Sequence, residues 1–206
     1  MMFVHARLAK APPTSHYRDM EAAEKIGTVS VEEYLAGEPR SEVRHEYIGG
    51  EVYAMAGASE EHNTISLNLA SALRTHLRGK ACRVFMVEMK VRLCVAQEDV
   101  FYYPDLMVTC DPRDTDRYAK RFPKVLIEVL SADTARTDRR EKFFSYTGIE
   151  TLEEYVLVAQ DRQEVTVFRR SAQWAPEVLT PTGRPLELTS IEFSLALDAI
   201  YEGVKA

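Results

Sequence analysis

The feature of this 206-residue chain that most restricts its fold is a pair of apolar runs, each interrupted by one carboxylate. The first is Tyr103-Pro104-Asp105-Leu106-Met107-Val108 and the second Lys124-Val125-Leu126-Ile127-Glu128-Val129-Leu130-Ser131. Runs this rich in β-branched and large apolar residues read as buried strands. An ionised carboxylate in such a strand is costly unless it has a partner. Asp105 and Glu128 on neighbouring strands share that need, and one divalent cation meets it for both. A short charged helix follows, expected over residues 137–147 and ended by Gly148, with Phe143 and Tyr146 as its apolar anchors and Lys142 beside them.

Around these runs helical and strand periods alternate, which predicts an α/β fold with a mixed sheet flanked by helices. Ser30 to Gly37 reads as a capped helix, with Ser30 as N-cap and Glu33 at N3. Glu46-Tyr47-Ile48 and Glu51 to Met55 flank Gly49-Gly50, a hairpin signal. Residues 59–79 predict a helix capped by Ser59, with Ile65, Leu69, Leu73 and Leu77 repeating every four residues. Residues 83–93 read as a strand or a bent pair, and Phe101 to Cys110 as one strand, placed at an edge or bulged because Pro104 cannot donate to a ladder. Asp111 to Pro123 is polar and reads as a long loop suited to cover a substrate. Tyr155 to Ala159 and Val165 to Arg169 form a second hairpin signal around Asp161-Arg162-Gln163, followed by short strands over 186–193 and a small helix near Leu195 to Tyr201. Residues 1–28 lack sustained periodicity and read as an extension, partly disordered, with a short helix near Met20 to Lys25. Residues 29–206 read as a single domain.

Charge and composition narrow the function classes. No apolar run approaches the ~20 residues that span a bilayer, and no secretory h-region is visible, so the expected compartment is the cytoplasm. The cysteines, Cys82, Cys94 and Cys110, have no zinc spacing and are odd in number. They read as small core residues in a reducing compartment. A net charge of −6 weighs mildly against a polyanionic partner, although Arg136, Arg139 and Arg140 cluster beside the charged helix.

The phrases Arg44-His45-Glu46-Tyr47-Ile48-Gly49-Gly50-Glu51-Val52-Tyr53-Ala54-Met55, Tyr103-Pro104-Asp105, Ile127-Glu128-Val129-Leu130-Ser131, Asp138-Arg139-Arg140-Glu141-Lys142 and Glu154-Tyr155-Val156-Leu157-Val158 occur in this order. Together they resemble a restriction-endonuclease-like family of bacterial proteins within the PD-(D/E)xK nuclease superfamily, over roughly Val29 to Ser171. The superfamily pattern has Lys two residues after the Glu, where this chain has Leu130. The resemblance implies that the lysine has moved to the following helix, as Lys142.

The resemblance implies a Mg²⁺-dependent endonuclease acting on DNA, with Mn²⁺ as a substitute and a homodimer as the assembly. Asp105 and Glu128 then hold the metal, with a neighbouring backbone carbonyl completing the shell. Lys142 orders water or meets transition-state charge. Glu46 serves a second metal or orients a water ligand, or is merely a solvated hairpin charge. His62 is either a packed helix residue or a group near the metal. Glu88-Met89-Lys90 is a literal Glu-x-Lys ahead of Asp105, so Lys90 is the competing lysine. Two other classes stay open: a catalytically inactive module of this fold that binds nucleic acid or protein, and a hydrolase of another phosphodiester. If the two carboxylates repel each other without metal, Glu128→Gln is expected to melt higher than wild type in EDTA.

Overall fold

A computed structural model describes residues 29–131 and 138–204. In chain order it contains helix α1 (Val31–Gly37), strands β1 (His45–Ile48) and β2 (Glu51–Ala54), and helix α2 (Glu60–His76). Strands β3 (Arg83–Met86), β4 (Lys90–Val95), β5 (Glu98–Tyr102), β6 (Leu106–Thr109), β7 (Ala119–Lys120) and β8 (Pro123–Leu130) follow. A π-helical turn (Asp138–Lys142) leads into helix α3 (Phe143–Thr147). The chain continues through β9 (Glu154–Ala159), β10 (Val165–Arg169), β11 (Pro176–Leu179), β12 (Leu186–Leu188), β13 (Phe193–Leu195) and helix α4 (Leu197–Ile200). The expected extension over 1–28, its short helix, and the side chains of Arg136 and Arg139 lie outside the described residues.

The architecture is α/β, as the periodicities imply, but it uses several sheets rather than one. A six-stranded sheet runs β11-β10-β9-β8-β6-β3, and a five-stranded sheet runs β2-β1-β5-β4-β7. Each is mixed, because β8–β9 and β4–β7 pair in parallel while the other neighbours are antiparallel. Strands β12 and β13 form a separate ribbon. The segment Phe101 to Cys110 is therefore not one strand. It breaks at Tyr103-Pro104-Asp105, and its halves, β5 and β6, belong to different sheets. Pro104 has no N–H for a ladder, so the chain changes sheets there, and β6 becomes an interior strand instead of an edge. Residues 83–93 divide likewise, β3 and β4 lying in separate sheets.

The local signals act as expected where they are self-contained. Ser30 and Glu33 make a reciprocal capping box. Gly49 and Gly50 turn the β1–β2 hairpin with φ of +54° and +95°. The left-handed φ at Gly49 is what disfavours a side chain there; the carboxylate of Glu98, 2.0 Å from where a Cβ would stand, is the end of an exposed flexible chain and could move aside. Ser59 caps α2, whose Ile65, Leu69 and Leu73 are fully buried against Leu106, Val108, Val125, Ile127 and Val129 of β6 and β8. The opposite side chains of those strands, Met107, Leu126 and Leu130, pack with Tyr146, Tyr155 and the β4–β5 residues Val91, Val100 and Tyr102. Glu128 shares this second face.

The cysteines depart from expectation. Cys82 and Cys110 form a disulfide, and Cys94 is exposed with a free thiol. Cys82 and Cys110 flank the first β3–β6 pair, Arg83 opposite Thr109, so the antiparallel register brings them together. Spacing along the chain cannot reveal such a pairing. Among the described residues no helix is long and apolar enough to cross a membrane.

Candidate active site

The site assembles where β6 begins. Leu106 stands opposite Ile127, and continuing that antiparallel register by one residue sets Asp105 beside Glu128. Side chains take over from the regular ladder at this point. The Val129 N–H donates to Asp105 Oδ2 at 2.6 Å, and the Asp105 N–H approaches Glu128 Oε2 at 3.4 Å. The backbone carbonyl of Asp105 accepts from the Val87 N–H at 3.1 Å. Val87 is left-handed, with φ of +53°, an uncommon state for a β-branched residue. Strain is thus localised at the turn that holds Asp105.

Helix α2 supplies the next group. His62 Nε2 lies 3.2 Å from Asp105 Oδ2, both side chains being mostly shielded from solvent. From the other side comes Lys142, the last residue of the π-helical turn. Its Nζ is 2.9 Å from Glu46 Oε1 and 3.4 Å from Glu128 Oε1. Tyr146, four residues later and on the same face, donates its hydroxyl to Glu128 Oε1 at 3.0 Å. Complete burial, reinforced by Glu128, holds the Tyr146 hydroxyl well above its ordinary pKa, so it stays a donor. The Lys142 ammonium also sits 5.5 Å from the centre of the Tyr102 ring.

Asp105, Glu128, Lys142 and Glu46 are thus contiguous, with His62 at the edge. Lys90 is elsewhere. Its Nζ reaches the Tyr103 hydroxyl at 3.3 Å, and that hydroxyl donates to Glu38 Oε1 at 2.9 Å. Glu38 in turn accepts from the His45 N–H at 2.8 Å and meets the His45 ring at 3.1 Å. Burial draws the Lys90 pKa down, with Glu38 opposing the shift. This network clamps the residues preceding Glu46 and Asp105. Sequence reasoning missed it because Glu38 sits in a non-periodic stretch. It saw Tyr146 only as an apolar anchor, although the i,i+4 spacing from Lys142 was a usable signal.

Among the described residues, no group of three or more His, Cys, Asp or Glu is placed to hold a metal ion. Two adjacent carboxylates fit Mg²⁺ or Mn²⁺, which take one or two carboxylates and complete their shell with water and phosphate. Asp105 Oδ1 accepts no hydrogen bond from the described residues, which leaves that oxygen for such an ion.

Residues 31–199 match the model of Uma2, described as "Putative restriction endonuclease". The chain belongs to the Uma2 family. It is 36% identical over 181 residues to the uncharacterised Synechocystis protein slr1290, covering 85% of this chain and 93% of that one. It is 34% identical over 158 residues to a second uncharacterised Synechocystis protein, sll1609, covering 74% and 87%. The fold is similar to that of a crystal structure from Anabaena variabilis, described as a "putative nuclease belonging to DUF820". That match has a TM-score of 0.69 at 20% identity and covers 84% of this chain and 97% of the other. At that identity the likeness concerns the fold. The restriction-endonuclease-like family suggested by the five sequence phrases is the one the Uma2 match gives.

Proposed function

We propose that this Uma2 protein is a Mg²⁺-dependent endonuclease that hydrolyses phosphodiester bonds in DNA. The observation that carries the reading is the meeting of Asp105 and Glu128 at the head of β6 and β8, with the Lys142 ammonium against Glu128. Asp105 and Glu128 would hold the divalent cation. When bound, such a cation neutralises phosphate charge and makes a water more acidic.

The chain's own groups do the rest. Lys142 places positive charge where negative charge grows on the phosphate in the transition state. Glu46, Glu128 and the Tyr102 ring fix the position of its ammonium, so little reorganisation is needed at the moment of reaction. Tyr146 keeps Glu128 oriented. Glu46 serves as the acceptor that aligns a water ligand or takes up its proton. Arg140, exposed two residues before Lys142, is the candidate contact for the DNA backbone. A homodimer in the cytoplasm would set two sites on the two strands of a duplex, and light scattering at several concentrations tests that assembly.

A plasmid-nicking assay with Mg²⁺, Mn²⁺ and EDTA tests the activity. Nicking with either metal, lost in EDTA and in Asp105→Asn, is expected. One observation favours the alternative, an inactive module that binds nucleic acid or protein: Lys142 already contacts two carboxylates, which neutralise it. Retention of a labelled duplex without nicking under any metal would select that reading.

A further inference from the structure

We propose that His62 is a positioning residue for the metal carboxylate Asp105, an inference that rests on the two-carboxylate reading of the site. Asp105 needs such a residue because it precedes β6 and no ladder orients its side chain. Its Oδ2 is pinned from two directions, by the Val129 N–H at 2.6 Å and by His62 Nε2 at 3.2 Å. With Oδ2 engaged twice, the carboxylate is held in one rotamer, and Oδ1 is kept for the cation. Partners that orient a ligating side chain in this way commonly change metal affinity when removed.

The placement of His62 is itself over-determined. Ser59 Oγ accepts from the His62 N–H at 3.2 Å and lies 3.3 Å from Gln160 Oε1, toward which it donates. The Gln160 N–H approaches the Leu130 carbonyl, at the end of the strand that carries Glu128, at 3.4 Å. The first turn of α2 is therefore tied to β8, and His62 spans from that turn to Asp105. The positive end of the α2 dipole adds to the attraction for a carboxylate at this place. The His62 Nε2 atom is directed at Asp105 Oδ2, which makes it a partner of the carboxylate.

The test compares His62→Gln with His62→Asn by Mn²⁺ titration calorimetry, with Asp105→Asn as the control and melts in EDTA to verify folding. Gln carries its amide nitrogen about as far from the backbone as Nε2, whereas Asn falls one methylene short. Wild type and His62→Gln are expected to bind Mn²⁺ with similar affinity, and His62→Asn about 10–100-fold more weakly. Equal binding by His62→Asn would overturn the positioning role. Equal loss in both variants would also overturn it, pointing to direct ligation by the imidazole. Failure of the wild type to bind Mn²⁺ would bring down the two-carboxylate reading itself, and this inference with it.

Discussion

Lys142 Nζ lies 2.9 Å from Glu46 Oε1, a contact that joins the turn before α3 to the first strand of the five-stranded sheet. The same ammonium reaches Glu128 of the six-stranded sheet. Lys142 is thus the charge that lets two carboxylates from different sheets sit near one another. Its side chain is 8% exposed, so the arrangement is largely desolvated.

Lys142→Ala follows from that contact. It should abolish nicking and, without metal, destabilise the fold by roughly 3–5 kcal/mol, because two shielded carboxylates lose their counter-charge. Cation binding should survive. Mg²⁺ should raise the melting temperature of the variant by more than that of wild type, since the cation replaces the missing charge. Thermal melts with EDTA and with Mg²⁺ check both claims, and a normal melt in EDTA would contradict them.

Glu128→Gln is expected to melt lower than wild type in EDTA, the reverse of what repulsion between Asp105 and Glu128 alone suggests. The structure supplies donors that the sequence did not reveal: the Tyr146 hydroxyl at 3.0 Å, Lys142 at 3.4 Å and the Asp105 N–H at 3.4 Å. A neutral amide loses the charge-assisted part of these bonds, about 1.5–3 kcal/mol. Wild type should still gain stability from Mg²⁺ and the variant should not. A higher melting point for the variant in EDTA would restore the repulsion picture.

Lys90→Met should leave nicking intact, which separates the two candidate lysines. Its effect on stability should depend on pH. Burial lowers the folded pKa of Lys90 below the ordinary 10.5, so between the two values the unfolded chain binds more protons than the folded one. Stability of the wild type therefore rises with pH across that window, as the cost of the buried ammonium is removed. Met fills similar space without charge, so the variant should melt higher than wild type at neutral pH, with the gain shrinking as pH climbs toward 10.5. A gain that stays constant across this range would show that the buried charge is not its source.

Cys82→Ser should lower stability by about 2–4 kcal/mol under non-reducing conditions, the range for a closed loop of this size, here with a sequence separation of 28. In dithiothreitol wild type and variant should converge. Equal denaturation midpoints without reductant would mean that the two thiols do not pair in solution.

The residues alone determine much of this protein. The four-residue repeat of Ile65, Leu69, Leu73 and Leu77 specifies α2, Gly49-Gly50 specifies the first hairpin, and the alternation around Glu128 specifies a buried strand with one carboxylate on a defined face. These are local properties, written in which face of an element must leave water. Tertiary structure alone decided the rest. It sent Phe101 to Cys110 into two sheets, joined Cys82 to Cys110, buried Lys90 against Tyr103, and brought Lys142 to Glu46 and Glu128. Each depends on strand order and on which elements cross, and a side chain's neighbours across a sheet are unrelated to its neighbours along the chain. The periodicity that hides an apolar face cannot state which donor will stand opposite a buried carboxylate, because that partner comes from a segment distant in sequence.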